Sequence, residues 1–91
     1  MADAWVYLLR CADGSLYTGW TNDLPKRLAA HTAGTASRYT RSRLPVELAL
    51  ALPQPDRSAA MREEARIKRL RRGQKVALVS AADRATGPGR R

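Results

Sequence analysis

The 91-residue chain carries 17 Lys and Arg against 8 Asp and Glu, a net charge of +9, with an apolar fraction of 44%. That length admits one small domain, the composition is that of a folded chain rather than a disordered one, and no segment approaches the roughly 20 apolar residues of a membrane span. So basic a domain points to a polyanion: nucleic acid first, an anionic membrane surface behind it, and charge that only maintains solubility as the plain alternative.

The opening stretch "MADAWVYLLR" has neither a charged leader region nor a long apolar core. No signal peptide is expected, and a cytoplasmic location fits. The single cysteine, Cys11, cannot form an internal disulfide, which suits a reducing compartment, and with one histidine in the chain it is too little for a zinc site. Cys11 reads as a strand-end residue. Trp5 to Arg10 is a strand rich in aromatic and aliphatic residues, "ADG" is a turn, and Ser15 to Trp20 is the returning strand.

Two turns fit that hairpin. With a two-residue turn at Asp13-Gly14, Arg10 faces Tyr17 and Tyr7 faces Trp20, so the two tyrosines point to opposite faces. With a three-residue loop, Ala12-Asp13-Gly14, and a bulge, Leu9 faces Tyr17 and Tyr7 faces Gly19. Both tyrosines then share a face, and Gly19 leaves room for a substrate to approach. The two tyrosines are either packing aromatics or parts of a working site.

Asp23 is an N-cap for a first helix, with Pro25 in its first turn and Gly34 at its end. Arg27 and His31 stand four apart on one face of it, beside the apolar Leu24 and Leu28, and so at the edge of the core. Residues 35–45 read as a loop of hydroxyl and basic residues, in which Arg38, Tyr39, Thr40, Arg41 and Arg43 suit phosphate contact and base stacking. Val46 to Leu52 is a third strand, ended by Pro53 and Pro55. Asp56 caps a second helix, Arg57 to Arg72, closed by Gly73. Ala60, Met61, Ile67 and Leu70 mark its buried side, and Glu63 and Glu64 both fall within that side's spread. A carboxylate there needs a partner or a metal; the plain reading is a surface pair of Glu64 with Lys68. The other helix cations, Arg66, Arg69, Arg71 and Arg72, spread round the helix as solvated charge. A shorter helix, "QKVALVSAA", completes a single domain over residues 1–83, followed by a flexible basic tail, residues 84–91. The order ββαβαα gives an α+β fold, a small antiparallel sheet covered by helices.

The assembled residues resemble the GIY-YIG nuclease family. "WVYLL" stands for its first motif, with Trp5 in place of the Gly, and "LYTGWT" for its second, with Thr18 in place of the Ile. Arg27 and His31, the "SRYTR" loop at 37–41 and Glu64 in "REEARIKRL" follow in order. A late asparagine found in some members has no counterpart, since the only Asn is Asn22. The likeness covers about residues 4–80 and is nearest to small stand-alone bacterial members.

The resemblance implies a three-stranded antiparallel sheet with both tyrosines on the active face. It implies that Tyr7 and Tyr17 hold or activate the attacking water, that Arg27 neutralises charge on the phosphate, that His31 lies near the nucleophile, and that Glu64 is the protein ligand of Mg²⁺ or Mn²⁺. Either Tyr7 or His31 is then the base. The expected activity is metal-dependent DNA endonuclease chemistry in DNA repair or processing, with branched or single-stranded DNA as substrate. Lys68 is counted with the loop residues as a nucleic-acid contact. Without a base-reading element, recognition by backbone and shape follows, and a protein partner could supply targeting. The alternatives are a non-cleaving nucleic-acid-binding module of the same fold and a scaffold for an acidic protein.

Overall fold

The computed structural model describes residues 2–86. Its elements are β1 (Ala4–Arg10), β2 (Leu16–Thr21), α1 (Leu24–Ala33), α2 (Arg38–Arg41), β3 (Glu47–Gln54), α3 (Arg57–Lys68) and α4 (Arg72–Thr86). The three strands form an antiparallel sheet in the order β2-β1-β3, the α+β arrangement expected. β1 is central because its residues are apolar on both faces: Val6, Tyr7, Leu8 and Leu9 are all buried.

The hairpin takes the bulged form. Tyr7 pairs with Gly19 and Leu9 with Tyr17. Cys11 N–H donates to the Ser15 carbonyl, Gly14 N–H donates to the Cys11 carbonyl, and Gly14 sits at φ +85°, where a side chain would be strained. Alternation along the strands then puts Tyr7, Leu9, Tyr17 and Gly19 on one face and Val6, Leu8, Thr18 and Trp20 on the other. The second face is the apolar core. Val6, Leu8 and Leu50 meet Ala60, Ile67 and Val79, with Leu70 and Leu78 packed around them. Helix α3 lies across β1 and β2, and α4 reaches β3.

Four expectations are corrected. Residues 35–45 hold one helical turn, α2, because the Ser37 hydroxyl caps it by accepting from Tyr39 N–H and Thr40 N–H. β3 runs through Pro53, which pairs opposite Trp5; an edge strand tolerates a residue with no ladder donor. α3 stops at Lys68, and Gly73 lies inside α4 rather than closing the helix before it. The break is fixed at Arg71, whose N–H donates to Gln74 Oε1 at 2.9 Å, the back-reaching half of a capping box. Met61 is exposed, because the stripe of α3 that faces the sheet is Ala60, Glu64 and Ile67, spaced i, i+4, i+7.

The expected tail begins inside α4, whose backbone continues to Thr86, and residues 87–91 lie outside the described residues. Among the described residues no helix is long and apolar enough to cross a membrane.

Candidate active site

The tyrosine face is closed by α1. Asp23 Oδ1 accepts from Lys26 N–H, Pro25 occupies the first turn, and Gly34 at φ +80° ends the helix by donating to the Ala30 and His31 carbonyls. These caps set the rotation that aims His31, in the last turn, onto the sheet. Its ring meets Tyr7 edge-on at 5.6 Å and Tyr17 at 5.2 Å between centroids, while the tyrosines stand 6.5 Å apart. His31 is wholly buried rather than at the core edge where the helical spacing placed it.

His31 is held at both nitrogens. Nε2 lies 2.8 Å from Tyr7 Oη, and Nδ1 lies 2.8 Å from Thr40 Oγ1. The Thr40 hydroxyl donates onward to the Ser37 carbonyl at 3.4 Å. A hydroxyl has one proton, so Thr40 accepts from His31 Nδ1–H. Nε2 is then bare and accepts from the Tyr7 O–H. Burial, with the Arg27 charge adding to it, lowers the His31 pKa from 6.5, which keeps the ring neutral. Burial raises the Tyr7 phenol from 10.0 to about 12; Tyr17 and Glu64 add to the rise, and Arg27 pulls part of it back. Tyr7 is therefore a protonated donor to His31 at neutral pH.

Gly19 is required by this packing. A Cβ on it would stand 2.6 Å from Tyr7 Oη and 3.2 Å from the Tyr17 ring. The space opposite Tyr7 is filled by the tyrosine's own ring, not left for substrate.

Above this layer opens a cleft of about 380 Å³, walled by Tyr7, Tyr17, Arg27, Arg57 and Glu64 with Asn22 at its rim. Of the two glutamates on α3, Glu64 turns to the cleft, whereas Glu63 makes a two-point pair with Arg66 at 2.9 and 2.7 Å that lowers its pKa. Glu64 Oε2 lies 3.4 Å from Lys68 Nζ, so the i, i+4 pair of the plain reading is present in a residue that also faces the cleft. Asn22, Trp20 and Arg57 are cleft residues that sequence reasoning did not select. Arg57 was legible, since it lies i, i+7 from Glu64 on the same helix face.

The donor set suits a hard cation. Among the described residues no three His, Cys, Asp or Glu converge, which disfavours a protein-caged transition metal. One carboxylate in a polar cleft roomy enough for a water shell is what Mg²⁺ or Mn²⁺ accepts.

The expected nucleic-acid contacts divide. Thr40 is wholly buried and occupied with His31. Arg43 is turned inward: its guanidinium donates to Asp13 Oδ2 and to the Tyr39 carbonyl and lies 3.8 Å over the Tyr39 ring. Tyr39 has Tyr17 as its other neighbour at 5.7 Å, so its ring is engaged within the chain. Lys68 is paired with Glu64. Arg38 and Arg41 are exposed and have no acidic partner among the described residues.

Residues 3–76 match the sequence profile of the GIY-YIG catalytic domain. The chain is 48% identical over 79 residues to a UPF0213 protein of Xanthomonas axonopodis pv. citri, covering 87% of this chain and 78% of that one. It is also 48% identical over 79 residues to a UPF0213 protein of Natronomonas pharaonis, covering 87% and 93%. The solution structure of a UPF0213 protein from Bacillus halodurans superposes with a TM-score of 0.58 at 41% identity, over 93% of this chain and 87% of that one. With the bulged hairpin, the three-stranded sheet and the tyrosine–histidine layer all in place, the chain belongs to the GIY-YIG family, a nuclease superfamily whose members generally depend on a divalent metal.

Proposed function

We propose that this protein is a metal-dependent DNA endonuclease that hydrolyses phosphodiester bonds in the cleft over Tyr7 and His31. One observation carries the reading: Tyr7, Tyr17, Arg27 and Glu64, from four different elements, wall a single cleft, with His31 2.8 Å behind Tyr7. Glu64 would hold Mg²⁺ or Mn²⁺, and a cation there supplies charge neutralisation at phosphorus and makes water more acidic.

The chain's own residues do the rest. As the water's oxygen attacks phosphorus, Tyr7 Oη takes the water's proton while handing its own to neutral His31 Nε2, and the P–O bond to the leaving oxygen breaks, that oxygen taking a proton from solvent. With its phenol near 12 Tyr7 is too weakly acidic to stand as a free phenolate. His31 is the proton acceptor at Nε2, and Tyr7 passes the proton to it. Tyr17 borders the same space and orients the water. Arg27 reaches the cleft from an exposed position and offsets the charge that grows on the phosphate. Selectivity comes from DNA shape, as suits a role in repair or processing, with a protein partner as a second route to targeting.

The test is cleavage of single-stranded, duplex, flapped and branched DNA in Mg²⁺, Mn²⁺ or EDTA by wild type and Glu64→Ala. Wild type cuts only with metal, and the variant loses roughly 10²-fold or more in rate while still binding DNA. Binding by both proteins with no cleavage in either metal would replace the nuclease reading with a binding module. Cleavage that survives Glu64→Ala would remove Glu64 from the metal site.

A further inference from the structure

The cleft is one end of a longer trough. It shares Thr21, Asn22 and Arg27 with a second hollow of about 460 Å³ along α1. That hollow shares Thr35 and Ala36 with a third, of about 450 Å³, bordered by Arg38 and Arg41 of α2. The trough therefore runs from Glu64 along α1 to α2. From Arg27 to the end of α1 at Ala33 the trough follows six positions, about 9 Å of helix axis.

Cations line this strip along α1 and α2. Lys26, Arg27, Arg38 and Arg41 border it, and none of them has an acidic partner among the described residues. Elsewhere Arg10 is paired with Glu47, Arg43 with Asp13, Arg66 with Glu63 and Lys68 with Glu64, while Arg62 and Arg69 have no acidic partner among the described residues but border none of the three hollows. Along α1 the carboxylate on the trough wall, Asp23, accepts from the Lys26 N–H at the head of the helix, and Glu64 stands at the trough's cleft end. The amide of Asn22 and the hydroxyl of Thr35 lie between the cations. Four uncompensated cations interleaved with neutral polar groups match a phosphodiester backbone. An acidic peptide would also need apolar footholds, and the trough offers only the small Ala30 and Ala36.

We propose that this trough seats one nucleic-acid strand to one side of the scissile phosphate, its cations gripping successive phosphates of the backbone. The proposal rests on the nuclease reading only for the position of the scissile phosphate. The grip is on the backbone and is indifferent to sequence. It excludes Thr40, Arg43 and Lys68 from the contact set and adds Lys26.

The experiment is fluorescence anisotropy of a labelled single-stranded DNA 12-mer in EDTA over a series of KCl concentrations, using the full chain with Glu64→Gln as parent. Lys26→Ala, Arg38→Ala and Arg41→Ala should each weaken binding about 3–10-fold and reduce the log–log salt slope by about 0.7. Arg62→Ala on α3 and Arg69→Ala at its C-cap, both exposed and outside the trough, should change affinity less than about twofold. All five residues are exposed, so folding is retained, and circular dichroism checks it. Trough variants that bind like the parent, or Arg62→Ala and Arg69→Ala variants that lose as much, overturn the proposal. If wild type cleaves DNA in that case, the nuclease reading stands without the trough. If the trough variants weaken binding while wild type never cleaves, the strand seat stands without the nuclease. If the parent binds no DNA even at low salt, both fall.

Discussion

On one face of the sheet Val6, Leu8 and Leu50 meet Ala60, Ile67 and Val79; on the other Tyr7 and Tyr17 meet His31 and Thr40. Most of these side chains are equally removed from water, but burial asks different things of them. Apolar groups gain from dispersion and from leaving water in any tight arrangement. Buried polar atoms need a partner at the right distance and direction, and lose heavily without one. The apolar face therefore carries stability, while the tyrosine face carries position. Its contacts are directional, and the proposed chemistry is read from their geometry.

Ile67→Ala is the strongest test of that division. Ile67 is wholly buried, and its truncation should lower unfolding free energy by about 2–5 kcal/mol in a urea melt. Cleavage per folded molecule should stay within about twofold of wild type. A large fall in activity of the folded fraction would show that the two faces are not separable.

The alkaline limb of stability comes next. The folded-state pKa of Tyr7 is raised above its unfolded value of 10.0, to about 12. The stability tied to its protonated form is thus complete below pH 10 and is lost as pH rises from 10 through about 12. A rise of two units corresponds to about 3 kcal/mol in full. Urea melts of wild type and Tyr7→Phe at about pH 9 and about pH 11 check it: the loss on going alkaline should be smaller in Tyr7→Phe. At the acid end His31 has its pKa lowered by burial, so its contribution is complete above 6.5 and is lost as pH falls through the lowered folded value. Ile67→Ala should keep both dependences, because its face holds no titrating group of this kind.

Thr40→Val removes the acceptor of His31 Nδ1–H at nearly constant shape. The orphaned donor should cost about 1–3 kcal/mol of stability. It also frees the tautomer, so cleavage should lose part of the roughly 10²–10⁴-fold that a positioned acid–base group supplies. The loss should fall in kcat rather than KM, with Thr40→Ser restoring it. The ¹⁵N shifts of His31 should move from the Nδ1–H tautomer toward a mixture. A variant that loses stability alone, with tautomer and kcat unchanged, would mean that Thr40 only packs.

The pattern of what was legible follows from the same division. The hairpin, α1 with its caps, α3 and the α+β order could be read locally, because Asp23, Gly34, Asp56 and the strand alternation act within a few residues. The α3–α4 break was misplaced because Gly73 is a louder signal than Gln74 reaching back to Arg71. Tyr7, Tyr17, Arg27 and Glu64 were selected from the ordered motif set and do share one cleft. Local rules could not choose between the two turns, and so could not put both tyrosines on one face without the family likeness. The burial of Thr40 and His31 against each other was out of reach of spacing, since it depends on α2 folding back under α1. The engagement of Arg43 and Tyr39 is out of reach of local rules, because Asp13, which holds Arg43, lies 30 positions from it, and Tyr17, which meets the Tyr39 ring, lies on another element.

The smallest predicted effect has the opposite sign. Thr18 Oγ1 is buried with no hydrogen-bond partner among the described residues, on the apolar face, opposite Leu8. Thr18→Val removes an unsatisfied hydroxyl and keeps the β-branched shape, so it should raise stability by up to about 1 kcal/mol, measured as a higher urea midpoint. The position opposite Leu8 lies behind the tyrosine layer, and activity should not change. A gain would show that the apolar face is limited by this unpartnered hydroxyl. A loss would mean that the hydroxyl is satisfied in solution, and that this face too relies on a directed contact.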